Sequence, residues 1–257
     1  MQEFFGFGGY QRTPEGFLSW QHLTFVTTLM VIMVATAWIL GKRNRLCAYS
    51  VKNKVLVWAA LLIDGFELFK IVLLCFRNND PLNWLHNLPL FLCSIQLIAI
   101  PMAAFCKGRL QEASIDFVFI FGIMGAVLGT YGAGQNYNAY PVLGFDNVVS
   151  GLTHSISGFC SLYIAFSGMT SMKKRNIGVC FCILLGFCVL AYVANHLVNY
   201  NYMFLMAGDG TPYDILYNLL NGNPILYPLC VVALFLLYIS GFYYVYFLAT
   251  RKKSAVG

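Results

Sequence analysis

The sequence predicts an all-α protein that crosses a membrane seven times, and three observations carry that expectation. Of 257 residues, 59% are hydrophobic and only 10% charged, against about 25% charged in soluble domains. The mean hydropathy is +0.69. The apolar residues gather in runs of 17–25, lengths suited to a bilayer core of about 30 Å. A soluble enzyme, a nucleic-acid-binding domain and a disulfide-stapled secreted module are excluded. The alternation of a membrane β-barrel is absent, and backbone groups in lipid must be satisfied within the segment, so the runs are read as helices.

Taken in order, the spans are expected over 18–40, 55–75, 85–105, 115–131, 148–169, 177–197 and 225–249. The first is read as a span and not as a cleavable leader. It exceeds the roughly 7–15 residues of a signal h-region, Glu3 and Glu15 precede it, and Lys42, Arg43 and Arg45 follow it. Before it, residues 1–17 hold Phe4, Phe5, Phe7 and Tyr10 among glycines, a composition suited to an outer interfacial segment. Little is left between spans for a soluble domain, so 1–257 is one membrane domain with a basic tail over 250–257.

Orientation follows from the loops. Thirteen of the sixteen Lys and Arg residues lie in the first, third and fifth loops and the tail. The opposite side has Arg12 and Arg77, and Lys70 is inside a span. Positive residues stay cytoplasmic, which places the N-terminus outside and the C-terminus inside. The net charge of +6 then reports topology and anionic headgroups, not nucleic acid. The longer, turn-rich connections, 132–147 and 198–224, fall outside, and long connections are more often lids or binding loops than spacers. A faint internal likeness, His22 with His154 and Asn87-Leu88-Pro89 with Asn223-Pro224, fits a 3+1+3 arrangement.

Of the nine cysteines most fall inside spans, and no CxxC pair is present. Cys180 and Cys182 point to different sides of a helix, so no metal site is expected, and no cofactor. Most of the cysteines read as small apolar fillers. Charged and polar groups inside a bilayer are costly and mark function by default. Asp64, Glu67 and Lys70 recur every three residues on one face of span 2. His22 and Gln21 lie in span 1, His86, Cys93, Ser94 and Gln96 in span 3, His154 and Ser157 in span 5. Asn195, His196, Asn199 and Asn201 close span 6. Nearly all fall in the outer half, which implies a shared polar cavity. Blander readings stand beside this one. Glu67 and Lys70 also suit an ion pair locking helices, His86 and His196 suit helix ends meeting water, and His22 and His154 suit structural hydrogen bonds.

The segment Leu88-Pro89-Leu90-Phe91-Leu92-Cys93-Ser94, preceded by Glu67, resembles the LPLxLC motif of the YwaF family of bacterial seven-helix membrane proteins. Residues Asn199 to Leu205, then Pro212 and Pro224, resemble that family's late NYM-type loop, and His22 and His154 fall where it has histidines. The resemblance covers essentially the whole chain and implies a multi-pass protein of the bacterial cytoplasmic membrane. The family is similar to a eukaryotic membrane acyltransferase that remodels phospholipids with a cysteine and a histidine on separate helices. It is more distantly similar to androgen-induced membrane hydrolases, which have a threonine in place of the cysteine. The resemblance implies Cys93 as nucleophile and His154 as its base. One departure stands out: the eukaryotic motif has a histidine directly after its cysteine, where this chain has Ser94.

Around that pair, Pro89 suits the first position of a restarting helix, whose positive end would favour a thiolate at Cys93. Glu67 is expected to orient the His154 imidazole, giving a nucleophile–base–orienter chain. Lys70, Gln96 or Asn195 would stabilise an oxyanion, and His22 and Asn201 complete the expected substrate-binding set. The function read from the sequence is a lipid-modifying acyltransferase or hydrolase acting on membrane phospholipid from an outer-leaflet cavity. Two other classes stay open: a transporter or binding protein whose Glu67, Lys70 and His154 hold a polar solute, and a structural subunit of an envelope complex.

Overall fold

Lipid offers the backbone no hydrogen bonds, and the chain answers that constraint with helices. The computed structural model describes residues 2–254, and no strand occurs among them. The helices are α1 (Gln2–Phe5), α2 (Trp20–Asn44), α3 (Tyr49–Arg77), α4 (Gln96–Phe105), α5 (Gly108–Tyr131), α6 (Gly134–Ala139), α7 (Phe145–Ser167), α8 (Ile177–Val198), α9 (Tyr213–Leu219) and α10 (Leu226–Ser254). Single 3-10 turns occur at Asn83–His86, Lys174–Asn176 and Tyr202–Phe204. Five helices are long and apolar enough to cross a membrane: α2, α5, α7, α8 and α10. The chain is thus a multi-pass membrane protein. Of the expected basic tail over 250–257, residues 250–254 end α10 and 255–257 lie outside the described residues.

Two expected spans look different in the structure. Helix α3 has 29 residues, about 44 Å of helix at 1.5 Å per residue, but Asp64, Glu67 and Lys70 interrupt its apolar run. The third run, expected over 85–105, is helical only from Gln96 to Phe105, about 15 Å. The helix therefore restarts at Gln96 and not at Pro89. Side chains capture the backbone in between. The Ser94 hydroxyl accepts from Phe91 N at 2.9 Å and donates to Phe91 O at 3.1 Å. The Tyr202 hydroxyl accepts from Leu88 N at 3.1 Å and donates to Leu85 O at 2.5 Å. Such local capture competes with helix formation.

Helices α5 and α7 form the centre, with α2 and α3 on α7 and α4 on both α3 and α5. The buried residues of α2 are His22, Val26, Met30, Met33, Ala37 and Gly41, one stripe at helical spacing. Between α5 and α7 small residues let backbones approach, as membrane helices require without a hydrophobic drive between them. A Cβ at Gly122 would lie 2.6 Å from the Ser157 carbonyl oxygen.

Two polar clamps fix the ends. Arg77 donates to both carboxylate oxygens of Asp146, at 2.6 and 2.9 Å, and to Phe5 O at 3.2 Å. Tyr10 donates to the same carboxylate at 2.6 Å, and the Phe5 ring packs on Phe145, 5.3 Å between centroids. The N-terminal segment is therefore docked across α3 and α7. At the other end Asp116, fully buried on α5, accepts from Met172 N at 2.8 Å, Asn176 Nδ2 at 2.7 Å and Tyr243 Oη at 2.9 Å. It ties the turn after α7 to α10, a role that its place in the sequence does not suggest.

Candidate functional site

Between α3, the irregular segment before α4, and α7 lies a cavity of about 270 Å³. Helix α3 contributes Glu67 and Lys70, the segment contributes Leu88, Phe91, Cys93 and Ser94, and α7 contributes Ser150, Thr153, His154 and Ser157. Asn136 of α6, His86 and Tyr200 complete its polar wall.

Helix α7 can present these groups together because Ser150, His154 and Ser157 recur at 4 and 3 residues, one helical face. The His154 Nδ1 lies 2.7 Å from Ser150 O. A carbonyl only accepts, so Nδ1 carries the hydrogen and Nε2 is left as the basic nitrogen. The Cys93 thiol and the His154 imidazole line this cavity as neighbours, each acting on the other's charge. The amides of Cys93 and Ser94 adjoin the thiol in the chain. Among the described residues neither amide meets a backbone carbonyl, because the helix has not yet begun.

Helix α5 closes the back of the pair. A Cβ at Gly129 would fall 1.9 Å from His154 Cδ2 and 2.1 Å from Nε2, so only glycine lets the ring occupy its position. A Cβ at Gly125 would lie 3.6 Å from Cys93 Cβ, an ordinary contact.

Several roles expected from the sequence change once the side chains are placed. Glu67 does not orient the imidazole: Ser150 O does, and the Glu67 carboxylate instead pairs with Lys70 Nζ at 2.5 Å. At 14% and 19% exposure both side chains face the cavity, and the pair neutralises two charges that lipid would penalise. That contact uses one of the three ammonium hydrogens of Lys70. His22 is fully buried elsewhere, with Nε2 donating to Thr130 O at 3.1 Å and Nδ1 accepting from Leu18 N at 3.1 Å. Both nitrogens are thus spent, Nε2 on holding α2 to α5 and Nδ1 on the turn that leads into α2. Gln96 is fully buried but not on the cavity wall. Asn195 is occupied in clamping Tyr202, donating to its carbonyl at 3.0 Å and accepting its N–H at 2.5 Å. Asn201 bonds Ala207 O at 2.8 Å and Asp209 Oδ2 at 2.6 Å. Asn195 and Asn201 line an adjoining cleft of about 510 Å³ that shares Phe91 and Tyr200 with the cavity.

Sequence reasoning misses Gly129, Ser150 and Tyr202. Only the glycine has a visible signal, a recurrence of glycine at 122, 125 and 129 along one face of α5. Burial pushes the Tyr202 hydroxyl up to about 12, so it stays protonated as a donor to Leu85 O.

No curated protein and no solved structure matches the chain. The TMEM164 family does match, over residues 17–246. The match takes in α2 through most of α10, including every residue of the cavity wall, and on that extent the chain belongs to the TMEM164 family.

Proposed function

We propose that the chain is a lipid-modifying membrane enzyme, an acyltransferase or hydrolase working through an acyl thioester on Cys93. The observation that carries the reading is the Cys93 thiol against an imidazole whose Nδ1 is committed to Ser150 O. Nucleophile, base and orienter are the parts that activated nucleophiles require. The likeness of residues 88–94 to the YwaF motif supports it, and Ser94 in place of the eukaryotic histidine is accounted for by its bond to Phe91.

The chemistry follows from the groups present. His154 Nε2 takes the thiol proton, and Sγ attacks the carbonyl carbon of a phospholipid ester to form a C–S bond. The ester C–O bond then breaks, and the departing alcohol oxygen takes the proton from the imidazolium. An acceptor hydroxyl, of a lysolipid or of water, gives its proton to His154, attacks the thioester and releases the thiol. The apolar walls at Ile63, Leu88 and Leu97 suit an acyl chain. The reading also holds that the chain crosses seven times, with N-terminus out, C-terminus in and the third crossing made by α4 and the irregular segment. The cavity then opens to the outer leaflet.

The test is acyl transfer from a radiolabelled phospholipid by purified protein, with Cys93→Ala and His154→Ala beside the wild type. Loss of transfer in both variants is the expected result. Unchanged turnover in both removes the mechanism, and no turnover by the wild type on any phospholipid donor removes the activity.

A further inference from the structure

We propose that Ser157 is a catalytic residue of this site, donating its hydroxyl to the acyl carbonyl oxygen as that oxygen becomes an oxyanion. The inference rests on the thioester reading above and deepens it by naming the group that stabilises the charge.

Ser157 is 2% exposed, stands on the cavity wall, and its Oγ has no hydrogen-bond partner among the described residues. A buried polar atom without a partner calls for an explanation. Its neighbours on the same helix behave differently. Thr153 Oγ1 donates to Ser150 O at 3.1 Å, Ser155 Oγ to Gly151 O at 2.7 Å, and Ser161 Oγ to Phe119 O at 2.7 Å. A helix offers every serine a carbonyl one turn back, yet Ser157 has not taken one. Its hydrogen is free for a group that enters the cavity.

Helix α5 places the Ser157 backbone relative to the thiol. Gly122 abuts the Ser157 carbonyl, Gly125 abuts Cys93, and Gly129 abuts the His154 ring. Along α5 those contacts are about 4.5 and 6 Å apart at 1.5 Å per residue. Along α5, Cys93 therefore stands at a level between the His154 ring and the Ser157 backbone. When Sγ bonds to an ester carbon, the carbonyl π pair moves onto oxygen. Ser157 Oγ–H donates to that oxygen without giving up its proton, and His154 keeps the thiol proton on the other side. Collapse restores the carbonyl, breaks the ester C–O bond and passes the imidazolium proton to the leaving oxygen. The donors expected from the sequence are otherwise engaged or misplaced: Lys70 is with Glu67, Asn195 is with Tyr202, and Gln96 is off the wall.

The experiment uses the full chain in detergent–phospholipid micelles with phosphatidylcholine carrying a radiolabelled acyl chain. Three quantities are read for wild type and Ser157→Ala: single-turnover labelling of Cys93, alkylation of Cys93 by iodoacetamide, and melting temperature. Removing one oxyanion donor costs about 10²–10³ in rate, so labelling should fall by about that factor. Alkylation, which makes no oxyanion, should hold, and the melting temperature should stay or rise, because the hydroxyl has no partner to lose. Labelling of Ser157→Ala at the wild-type rate overturns the role while leaving the thioester reading intact. Alkylation falling in step with labelling also overturns it, since Ser157 would then act only on the thiol. A wild type whose Cys93 alkylates but never labels overturns the thioester reading, and the role with it.

Discussion

Replacing Gly129 by alanine tests whether the cavity's geometry governs its chemistry. The new methyl would fall 1.9 Å from His154 Cδ2 and 2.1 Å from Nε2, where carbon atoms in contact sit about 3.5–4.0 Å apart. The ring must retreat by at least about 1.5 Å or α5 and α7 must separate. The ring is held by its Nδ1 at 2.7 Å from Ser150 O, and a retreat of that size takes this pair beyond the roughly 3.2 Å limit of an N–H···O bond. A displacement of about 1 Å at a reacting group costs about 10²-fold in rate, so Cys93 alkylation and acylation should both fall at least that far. Stability should change little. Alanine gains about 1 kcal/mol over glycine inside a helix, and overpacking costs about 1–3 kcal/mol. Gly125→Ala is the matched control, because its Cβ would meet Cys93 Cβ at an unstrained 3.6 Å; it should keep wild-type reactivity. Alkylation rates and thermal melting in detergent report both effects on one sample. Equal reactivity in Gly129→Ala and Gly125→Ala would refute the reasoning.

A reporter fused after Gly257 should be cytoplasmic and one fused before Met1 outside; a C-terminal reporter found outside removes the seven-crossing arrangement. Tyr202→Phe leaves Leu85 O and Leu88 N without their shared hydroxyl, a cost of about 1–3 kcal/mol for each orphaned group. Hydrogen exchange should rise across residues 85–95 and Cys93 alkylation should change, and unaltered exchange there would show that the hydroxyl does not hold the segment. Burial, then the bond to Asp146, pushes Tyr10 up to about 12. A group raised above its ordinary value of 10.0 contributes docking that is intact below that pH and is lost as pH climbs towards about 12. Protection of residues 2–10 should therefore fall over that window in the wild type and lose that dependence in Tyr10→Phe, and an identical profile in the two proteins would exclude Tyr10 as the cause.

Five of the seven expected spans are helices long and apolar enough to cross a membrane, and they are legible because hydropathy decides whether a long apolar stretch is a helix. Helix α8, expected over 177–197, is Ile177–Val198. The sequence expects a shared polar cavity, and Cys93 and His154 line one. Rotation about each helix axis is not a property of depth, and that is why His22 reads the same as His154 in sequence. His22 turns to Thr130 O while His154 turns to the cavity. Glu67 misleads for a related reason. A lysine at i+3 lies on the same helix face and pairs with it, and the orienting carbonyl of Ser150 belongs to the backbone, which residue identity does not reveal.

The third run is the largest disagreement, and its cause is non-local. Leu88 to Ser94 has an apolar pattern that a buried helix would also show, and the groups that break it include a tyrosine hydroxyl 114 residues away. In an unbroken helix the N–H groups of Cys93 and Ser94 would bond the carbonyls of Pro89 and Leu90, four residues back. Breaking the helix leaves both without a backbone partner, beside Cys93 Sγ. Irregular backbone at membrane depth persists only where protein or a water-filled cavity replaces the missing hydrogen bonds. Here Ser94 Oγ and Tyr202 Oη supply the replacements on one side, and the cavity supplies the other. Local rules tend to fail where a site requires it. A thiol in an apolar bundle has uncommitted amides beside it only if its helix stops short of it, so the gap between Leu88 and Gln96 is the feature that shapes the surroundings of Cys93.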